Sequence, residues 1–327
     1  MPANRDPATL VAAARLYYLE GRSQAEVADA LGTSRSNVSR MLTEAQSQGI
    51  VEFRIHDPAG RVEPLEEELS ARFGLQDVRV AHVARSGQRT EDQVGRQAAR
   101  LLLESLKDSM TVAISWGHAL QSAVYATTSE QAFHQLSLVQ LVGGLSAISN
   151  EISGQELVRE LAVRLGAQYR FLHAPATVES PAVRQALMAE PSIAEAVAEA
   201  GRADLAMVGI GTPTVGSSAA ILDSMRLSPA ERQEFWDAHP VGDIAARYYD
   251  EQGTRIKGAV DDRIVGATLD DLVSIPHVIG VAHGRAKAPG VLGALNGRLI
   301  DSLVCDESLA RSVLSAARTS DEKRSTL

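Results

Sequence analysis

Several residues that could bind an anionic ligand lie where a short apolar run gives way to a predicted helix. In the segment ISWGHAL (114–120), Ser115, Trp116, Gly117 and His118 occupy such a junction. Backbone N–H groups converge at the start of a helix, and their partial positive charge favours phosphate. A strand-to-helix turn that needs glycine only for its shape would have the same residues, so both interpretations remain open.

A second polar stretch follows the run LSLVQLVGG (136–144). Gly143 and Gly144 end this run and would let a ligand approach the backbone closely. The polar side chains that follow are Ser146, Ser149, Asn150, Glu151 and Gln155. They could bind the hydroxyl groups of a sugar, although a polar loop with a helix cap explains them almost as well.

A third group combines a glycine-rich strand end with two charged residues. Gly211 and Thr212 close a run whose position 214 is threonine, so the third glycine of a dinucleotide fingerprint is missing and a nucleotide site is disfavoured. Asp243 could accept hydrogen bonds from a sugar, and Lys287 could hold a phosphate or carbonyl oxygen as a point charge. A helix-capping aspartate and a surface lysine are the ordinary explanations of the same two residues.

Composition narrows the class of protein. The sequence has no His/Cys cluster with zinc spacing, so neither a metal nor another cofactor is predicted. The single cysteine, Cys305, rules out an internal disulfide and fits a reducing compartment. No apolar run approaches the roughly 18 residues of a membrane span, and the N-terminus does not have the pattern of a signal peptide. We therefore expect a cytoplasmic protein with no membrane partner.

From about residue 77, short apolar runs alternate with longer amphipathic segments, and this alternation predicts an α/β fold with a parallel sheet. Short apolar runs indicate strands over 78–83, 110–117, 136–144, 169–175, 203–211, 277–284 and 299–307. Helical candidates lie between most of them, over 91–107, 153–165, 181–200 and 287–297. In open α/β sheets the ligand crevice lies beyond the carboxyl ends of the strands, which is where the glycine-rich junctions fall.

The first 57 residues predict a different unit, a helix-turn-helix with a wing. Its predicted elements are a helix over 7–20 that Gly21 stops, a helix from Ser23 to Gly32, a helix from Thr33 or Ser34 to Gly49, and a strand over 50–57. Ser23 and Glu26 have the spacing of a capping box, which marks the start of the second helix. Residues 61–73 predict a connecting helix with Pro64 near its first turn.

The third helix of this unit has the side chains suited to DNA. Its apolar stripe must face the other helices, which leaves polar and basic residues on the opposite side. The DNA-binding candidates are Ser23, Gln24, Ser34, Arg35, Ser36, Asn37, Ser39 and Arg40. Arginine can read guanine and asparagine can read adenine in the major groove, and the helix N-terminus favours phosphate. Competing interpretations are a helical cap with solvated arginines and a head that binds protein.

The distribution of charge indicates that any DNA binding depends on a few specifically positioned contacts and not on general electrostatic attraction. The chain has a formal net charge of −9, yet residues 1–56 hold six arginines and six acidic residues and are neutral. No acidic residue occurs from Ala30 to Thr43, so the third helix begins in a locally cationic segment. A non-specific polyanion binder would be basic overall, so an oligomer would have to multiply these contacts.

The segment QAEVADALGTSRSNVSRMLTEAQSQGIVEFRI (24–55) resembles the head of the SorC family of bacterial sugar-responsive transcription regulators, which includes some proteins called DeoR. The resemblance extends over nearly the whole chain through seven short segments in the family's order. These are ISWGHAL (114–120), LVGGL (141–145), APA (174–176), ADLAMVGIGT (203–212), VGDI (241–244), AHGRAKAPGVLGAL (282–295) and LVCDE (303–307). Any one of them is weak evidence, whereas seven in order are specific.

The resemblance implies an N-terminal winged helix-turn-helix and a C-terminal Rossmann-like α/β effector domain, similar in fold to ribose-phosphate isomerases and glucosamine-phosphate deaminases. It also implies double-stranded operator DNA, a phosphorylated sugar or polyol effector near Asp243 and Lys287, and a homo-oligomer, either dimer or tetramer. Some members hold an aldehyde effector through a lysine at the position of Val142, and valine excludes a Schiff base there. His283, where glycine is usual, and Pro289 also depart from the family pattern.

These observations predict four segments: a DNA-binding domain over 1–57, a linker helix over 58–76, an effector-binding and oligomerisation domain over 77–318, and a tail over 319–327. The predicted function is transcription regulation, most simply repression, of carbohydrate or deoxyribonucleoside catabolic genes under control of the effector, with no catalytic residue. The alternative is an isomerase- or deaminase-like enzyme with an accessory helical head, because such enzymes use carboxylate acid/base chemistry on sugar phosphates.

Overall fold

The chain divides into two compact units, 1–57 and 58–327. The computed structural model describes residues 6–51, 60–82, 89–129, 132–145 and 154–325. Each unit has its own apolar core, and the elements of each follow from the patterns of the sequence.

The first unit, hereafter the head, is built from three helices around a small core. Its elements are α1 (Pro7–Ala14), a π-helical turn (Arg15–Leu19), α2 (Gln24–Ala30) and α3 (Arg35–Ser47). The side chains that close the core are Leu10, Ala13, Ala14, Val27, Ala28, Val38, Met41, Leu42 and Ala45. The predicted helix over 7–20 thus widens after Ala14, and Tyr18 in the wider turn accepts a hydrogen bond from Gln46 Nε2 of α3 at 2.9 Å.

The turn between α2 and α3 forms as the sequence predicts. Ser23 and Glu26 form a complete capping box, in which each side chain accepts the other residue's backbone N–H. Gly32 ends α2 in the left-handed conformation with φ +62°, which a glycine adopts without strain. Ser34 caps α3 by accepting the N–H of Asn37. The strand predicted over 50–57 lies outside the described residues from position 52 onward.

The second unit, hereafter the body, is organised around a parallel sheet. Its strands are β1 (Asp77–Ala81), β2 (Thr111–Ile114), β3 (Ser137–Gln140), β4 (Gln168–Arg170), β5 (Leu205–Gly211), β6 (Gly242–Ile244), β7 (Arg247–Tyr249), β8 (Val278–Val281) and β9 (Ser302–Asp306). The parallel strands run in the order β1-β9-β8-β5-β2-β3-β4, while β6 and β7 form an antiparallel hairpin on the end of β5. The parallel α/β fold confirms the prediction from the sequence.

The helices of the body cover both faces of this sheet in the manner of a doubly wound fold. They are α4 (Glu63–Phe73), α5 (Thr90–Ser105), α6 (His118–Ala126), α7 (Gly154–Leu165), α8 (Pro181–Ala189), α9 (Pro191–Ala200), α10 (Gly216–Ser224), α11 (Pro229–Asp237), α12 (Leu269–Val273), α13 (Ala288–Asn296) and α14 (Glu307–Ser325). Short 3₁₀ turns occur at Asp261–Arg263 and Arg285–Lys287.

Two predicted boundaries were wrong. The helix predicted over 181–200 breaks into α8 and α9 at Glu190, because Pro191 lacks an N–H group and disfavours a helical conformation for the residue before it. The tail predicted over 319–327 instead continues α14 to Ser325. An ion pair between Asp321 and Arg72 of α4 holds this last part of the helix to the body.

The hairpin of β6 and β7 has no counterpart in the predicted strands. Its turn consists of Ala245 and Ala246, which both have positive φ, at 52° and 62°. Such turns favour asparagine and glycine, so two alanines between three-residue strands give no turn signal in the sequence.

A buried arginine fastens this hairpin to the segment that follows it. Arg247 is 1% exposed and donates hydrogen bonds to the carboxylate and carbonyl of Asp261 and to the carbonyls of Ile264, Gly266 and Ala267, at 2.8 to 3.3 Å. Burial lowers the pKa of its guanidinium, whereas the Asp261 carboxylate acts in the opposite direction. The hairpin therefore rests on a saturated cluster of hydrogen bonds.

Candidate functional site

A cavity of about 230 Å³ opens beyond the carboxyl ends of β2, β5 and β8. Its walls come from these strand ends, from the first turns of α5, α6 and α10, from the hairpin and from the turn before α13. The lining residues are Glu91, Trp116, Gly117, His118, Ala119, Gly209, Ile210, Gly211, Gly216, Ser217, Ser218, Asp243, Ala245, Val281, Ala282, His283 and Lys287. This is the position at which open α/β sheets bind ligands.

Two helix N-termini converge on the cavity. The first turn of α6 begins after Gly117, whose φ of +132° is accessible to glycine, and the first turn of α10 begins after Val215. Within the described structure, neither of these first turns receives a hydrogen bond from a capping side chain. Their backbone N–H groups are therefore free to donate hydrogen bonds to an anion in the cavity.

Asp243 and Lys287 form the charged centre of the cavity. Asp243 is 3% exposed, and its Oδ1 atom has no hydrogen-bond partner in the described part of the chain. Burial raises the pKa of this carboxyl, while the Ser218 hydroxyl, the Lys287 ammonium and the Ala246 backbone act to lower it. Burial also lowers the pKa of Lys287, whose Nζ donates to the carbonyl of Ile210 at 3.0 Å. An unsatisfied buried oxygen is costly, so a ligand hydroxyl that donated to Oδ1 would be bound favourably.

A glycine is required where these groups meet the end of β5. A Cβ atom on Gly211 would lie 1.9 Å from Ser218 Oγ and 2.0 Å from Asp243 Oδ1. Both polar side chains therefore pack directly over the bare Cα of Gly211, and any side chain at this position would displace them from the cavity.

A second polar wall of the cavity contains Glu91 and His283. The Glu91 carboxylate lies 4.0 Å from His283 Nε2 and 3.1 Å from the guanidinium of Arg89. Burial lowers the pKa of His283, and the nearby charge of Lys287 acts in the same direction, whereas Glu91 acts to raise it. Burial thus favours the neutral form of this imidazole.

The structure separates the predicted effector residues into two groups. It brings together Trp116, Gly117, His118, Gly211, Asp243 and Lys287 around the cavity, and it leaves Ser115, Thr212, Gly143, Gly144 and Gln155 outside the lining. The Ser115 hydroxyl instead accepts the N–H of Gly209 at 3.2 Å and links β2 to β5. The Thr212 hydroxyl lies 3.3 Å from that of Thr214.

The backbone groups of Gly143 and Gly144 already make hydrogen bonds within the body. The N–H of Gly143 donates to Val265, the N–H of Gly144 donates to Ala174, and both carbonyls accept hydrogen bonds. One of those donors is the indole of Trp116, which donates to the Gly143 carbonyl at 3.3 Å. These hydrogen bonds fix the strand end to its neighbouring segments, and contact of the two glycines with a ligand stays a prediction. Positions 146, 149, 150 and 151 lie outside the described residues.

Three polar lining residues, Glu91, Ser217 and Ser218, were not identified from the sequence. Glu91 stands in the first turn of a long amphipathic helix, where an acidic residue is ordinary, so it carried no signal. Ser217 and Ser218 follow Gly216 at the start of α10, shortly after a glycine-rich strand end. That arrangement repeats the strand-glycine-helix pattern of 114–120 and was the available clue.

Within the described residues, no group of histidine, cysteine or acidic side chains is placed to hold a metal ion. The helices of the same ranges include none that is both long enough and apolar enough to span a bilayer.

The head presents an exposed polar and basic face on α3. Arg35, Ser36, Ser39 and Arg40 are exposed, and Thr43 extends the face by one turn. In the described part of the chain neither arginine makes an ion pair, and Arg40 Nε donates only to the Ser36 carbonyl at 3.4 Å. Two unneutralised guanidinium groups on one helix face are suited to phosphates and guanine edges.

The other DNA-binding candidates stabilise the helix starts. Ser23 and Ser34 cap α2 and α3, and Gln24 is half-buried at the beginning of α2. Asn37 is also half-buried, and its Nδ2 donates to the Thr33 hydroxyl at 2.7 Å. This hydrogen bond directs the amide toward the turn, so the predicted contact between Asn37 and adenine would require the side chain to leave it.

Comparisons with known proteins extend over nearly the whole chain. The family described as "Putative sugar-binding domain" matches residues 57–315. The transcriptional regulator LsrR of Enterobacter sp. (strain 638) is 30% identical over 302 residues, 92% of this chain and 91% of that protein. The deoxyribonucleoside regulator of Bacillus subtilis (strain 168) is 29% identical over 310 residues, 93% of this chain and 96% of that protein. The crystal structure of the full-length sorbitol operon regulator SorC from Klebsiella pneumoniae matches with a TM-score of 0.72 and 29% identity, covering 95% of this chain and 100% of that one.

Proposed function

This chain belongs to the SorC-type family of sugar-binding transcription regulators, and from that premise we propose that it is a repressor released from operator DNA by a phosphorylated sugar or polyol. The similar proteins are named as regulators, which confirms the prediction of a sugar-responsive regulator over that of an isomerase or deaminase. A cytoplasmic homo-oligomer, dimer or tetramer, is part of the proposal, because paired heads on a palindromic operator multiply weak contacts.

The observation that carries the effector proposal is the buried Asp243 carboxylate with its unpartnered Oδ1 beside Lys287. An acceptor in that state is suited to a ligand hydroxyl. The first turns of α6 and α10, with the Lys287 ammonium, supply positive potential for a phosphate. One ligand with a phosphate at one end and hydroxyl groups along its chain would satisfy both parts of the cavity.

The function can be tested with sugar phosphates and the promoter upstream of the gene for this protein. Thermal shifts would be measured with glucitol 6-phosphate, fructose 6-phosphate, ribose 5-phosphate and 2-deoxyribose 5-phosphate. Each ligand that stabilises the protein would then be added to a gel-shift assay. We expect such a ligand to weaken the protein–DNA complex, since ligand and DNA favour different arrangements of the oligomer. A bound ligand that leaves DNA affinity unchanged would contradict the coupling, and a strengthened complex would contradict release.

Substitution of either charged residue should weaken the effector complex. Lys287→Gln and Asp243→Asn each remove the charge from a side chain expected to bind the ligand, so we expect the dissociation constant of a ligand found by thermal shift to rise about 10- to 150-fold. Titration calorimetry gives this constant directly. Lys257→Gln is a matched control, because Lys257 is exposed and does not line the cavity. Unchanged affinity in Lys287→Gln would show that the phosphate lies elsewhere.

Glu91 should exclude effectors that carry a second anionic group. Lys287 is the only lysine or arginine among the described lining residues, whereas Glu91 and Asp243 are both carboxylates. We therefore expect glucitol 6-phosphate to bind more tightly than 6-phosphogluconate, which differs from it by a terminal carboxylate. Glu91→Gln should reduce that preference about fivefold or more, the size of one partly screened charge pair.

Glu104→Gln serves as the control for this preference, since Glu104 lies on the same helix but outside the lining. Both ligands would be compared by calorimetry at one ionic strength. If Glu91→Gln and Glu104→Gln left the ratio of the two affinities equally unchanged, Glu91 would have no part in selecting the ligand.

A further inference from the structure

Asp306, at the end of β9, ties the turn beside the cavity to the start of α14. It is 1% exposed, and its Oδ1 accepts the N–H of Gly284 at 2.6 Å. Gly284 lies between the lining residues His283 and Lys287 and has φ +85°, a left-handed conformation that favours glycine. The other oxygen, Oδ2, accepts the N–H groups of Ser308 and Leu309 at 2.9 and 3.3 Å, which caps α14. One carboxylate therefore fixes the effector turn and the helix start relative to each other.

The neighbouring residue, Glu307, connects the same point to the place where the chain enters the body. Glu307 is buried, and its Oε2 lies 3.1 Å from His82 Nδ1. The backbone N–H of His82 donates to the carbonyl of Gly60 at 2.9 Å, and the N–H of Val62 donates to Val80 at 2.9 Å. Gly60 is the first described residue after position 51 of the head. Residues 60–62, hereafter the linker root, are thus bound to the strand end that Glu307 contacts.

A second connection between α14 and the start of the body is weaker. Ion pairs join Arg72 to Asp321 and Arg318 to Glu68, and these bring the end of α14 to α4. The side chains of Arg318 and Asp321 are more than half exposed, so water screens both pairs and they contribute little to stability. The contact between Glu307 and His82 is more sheltered from solvent and is the better route for a displacement to follow.

We propose that Asp306 and Glu307 are positioning residues that pass a shift of the effector turn to the linker root. Asp306 acts on the ligand through Gly284 and the turn that carries Lys287, and Glu307 acts on the root through His82. The two residues are adjacent in the chain, where β9 ends and α14 begins, so one short stretch of backbone carries both contacts. This inference rests on the proposed function, because it assigns the route by which an occupied cavity alters the attachment of the head.

Hydrogen exchange with mass spectrometry on the full chain tests the relay, with inorganic phosphate as the probe of the cavity. In the unsubstituted protein, phosphate should slow exchange at 284–288 and change exchange at the Val62 and His82 amides. His82→Ala keeps the backbone hydrogen bond to Gly60 and removes only the side chain that meets Glu307. We expect it to retain the slowing at 284–288 and to lose the response at Val62 and His82.

Arg311→Ala is the matched control, since Arg311 is an exposed partner of the other carboxylate oxygen of Glu307, Oε1. It should retain both responses. A His82→Ala protein that kept the response at Val62 and His82 would overturn the relay. If phosphate failed to slow exchange at 284–288 in the unsubstituted protein, the proposed anion site would be contradicted instead.

The relay can be judged without any ligand as well. Asp306→Asn weakens the acceptor for Gly284, so exchange at Gly284, Val62 and His82 should rise about tenfold, as expected for local opening of a hydrogen-bonded unit. Amides of the central strand β5 should be unaffected if the body remains folded. Faster exchange at Gly284 with unchanged exchange at Val62 and His82 would show that Asp306 acts only on its own turn, and it would overturn the proposal.

Discussion

Replacement of Arg247 with methionine is expected to lower the free energy of unfolding of the body by about 3–5 kcal/mol. Methionine approximates the length and volume of the arginine stem, so the loss would come from hydrogen bonds and not from a cavity. Five acceptors, including four backbone carbonyls, would lose the guanidinium. The Ile264 carbonyl would keep Arg184 Nε and the Asp261 carbonyl would keep the Ile264 N–H, so the main loss falls on the other acceptors. Both tryptophans, Trp116 and Trp236, belong to the body, so urea unfolding followed by tryptophan fluorescence reports on this unit.

Arg255→Met provides the comparison for this loss. Arg255 pairs with the other carboxylate oxygen of Asp261, but its side chain is 25% exposed and water can replace the lost partner. We expect it to cost about 1 kcal/mol, in the range of partly exposed pairs. The double variant Arg247→Met/Asp261→Asn should be less destabilising than the sum of its single changes by more than about 0.5 kcal/mol. Equal losses in Arg247→Met and Arg255→Met would show that burial of the guanidinium adds nothing to the hydrogen bonds.

Arg247→Met should also weaken the binding of effector in the cavity. Arg247 follows the turn of Ala245 and Ala246, and Asp243 stands directly across the hairpin from Tyr248. Loss of the hydrogen bonds to 261–267 would free this hairpin to move, and with it the carboxylate that faces the ligand. Weakened effector binding in Arg247→Met, measured under conditions where the body remains folded, would link the buried cluster to the site it supports.

The parts of the cavity that could be predicted from the sequence are those in which local geometry and chemistry coincide. Gly211 ends β5 and Gly117 lies just beyond the end of β2, and the rule that ligands bind at carboxyl strand ends places both at one edge. Lys287 and Asp243 were identified by residue type and by family resemblance. The hydrogen bonds that Gly143 and Gly144 make to Val265 and Ala174 were not predicted, because the sequence does not show which backbone groups a neighbouring loop will use.

Other features depend on contacts between distant segments and left no local signal. Glu91 reaches the cavity only because α5 packs beside β8 and β9, and an acidic residue in a first helical turn is commonplace. The hairpin that carries Asp243 turns on two alanines, which the sequence gives no reason to place in a turn. The break between α8 and α9 did have a local signal, because Pro191 disfavours a continuous helix. The apolar pattern across 181–200 nevertheless led to the prediction of a single helix.

In the head, the sequence predicted the helix starts correctly and the exposure of α3 in most positions. Arg35, Ser36, Ser39 and Arg40 are on the exposed face because the apolar stripe of Val38, Met41, Leu42 and Ala45 points into the core. Asn37 departs from this pattern, since it lies between the two faces and its amide is held by Thr33. Asn37→Ala should therefore act mainly on the stability of the turn, whereas the arginines should act on DNA.

The double variant Arg35→Ala/Arg40→Ala should lower affinity for the operator at least about 30-fold, with effector binding unchanged. Each arginine that contacts a guanine edge contributes about 1–3 kcal/mol, and a contact with phosphate also reduces the salt dependence by about one unit of slope. Both guanidinium groups are exposed and unpaired in the described structure, so their removal leaves no buried charge behind. Fluorescence anisotropy with promoter DNA at several salt concentrations gives both the affinity and the slope.

Charge alone is tested by Arg15→Ala/Arg22→Ala, which removes the same two charges from the head at positions outside α3. We expect this control to weaken binding only slightly and by the same factor on promoter and unrelated DNA, since non-specific attraction depends on net charge. The α3 variant should instead lose its preference for the promoter, because the residues that read bases are gone. Equal losses in both variants would mean that the head responds only to the negative charge of DNA and not to its base sequence. Unaltered promoter binding in the α3 variant would instead favour a head that contacts protein.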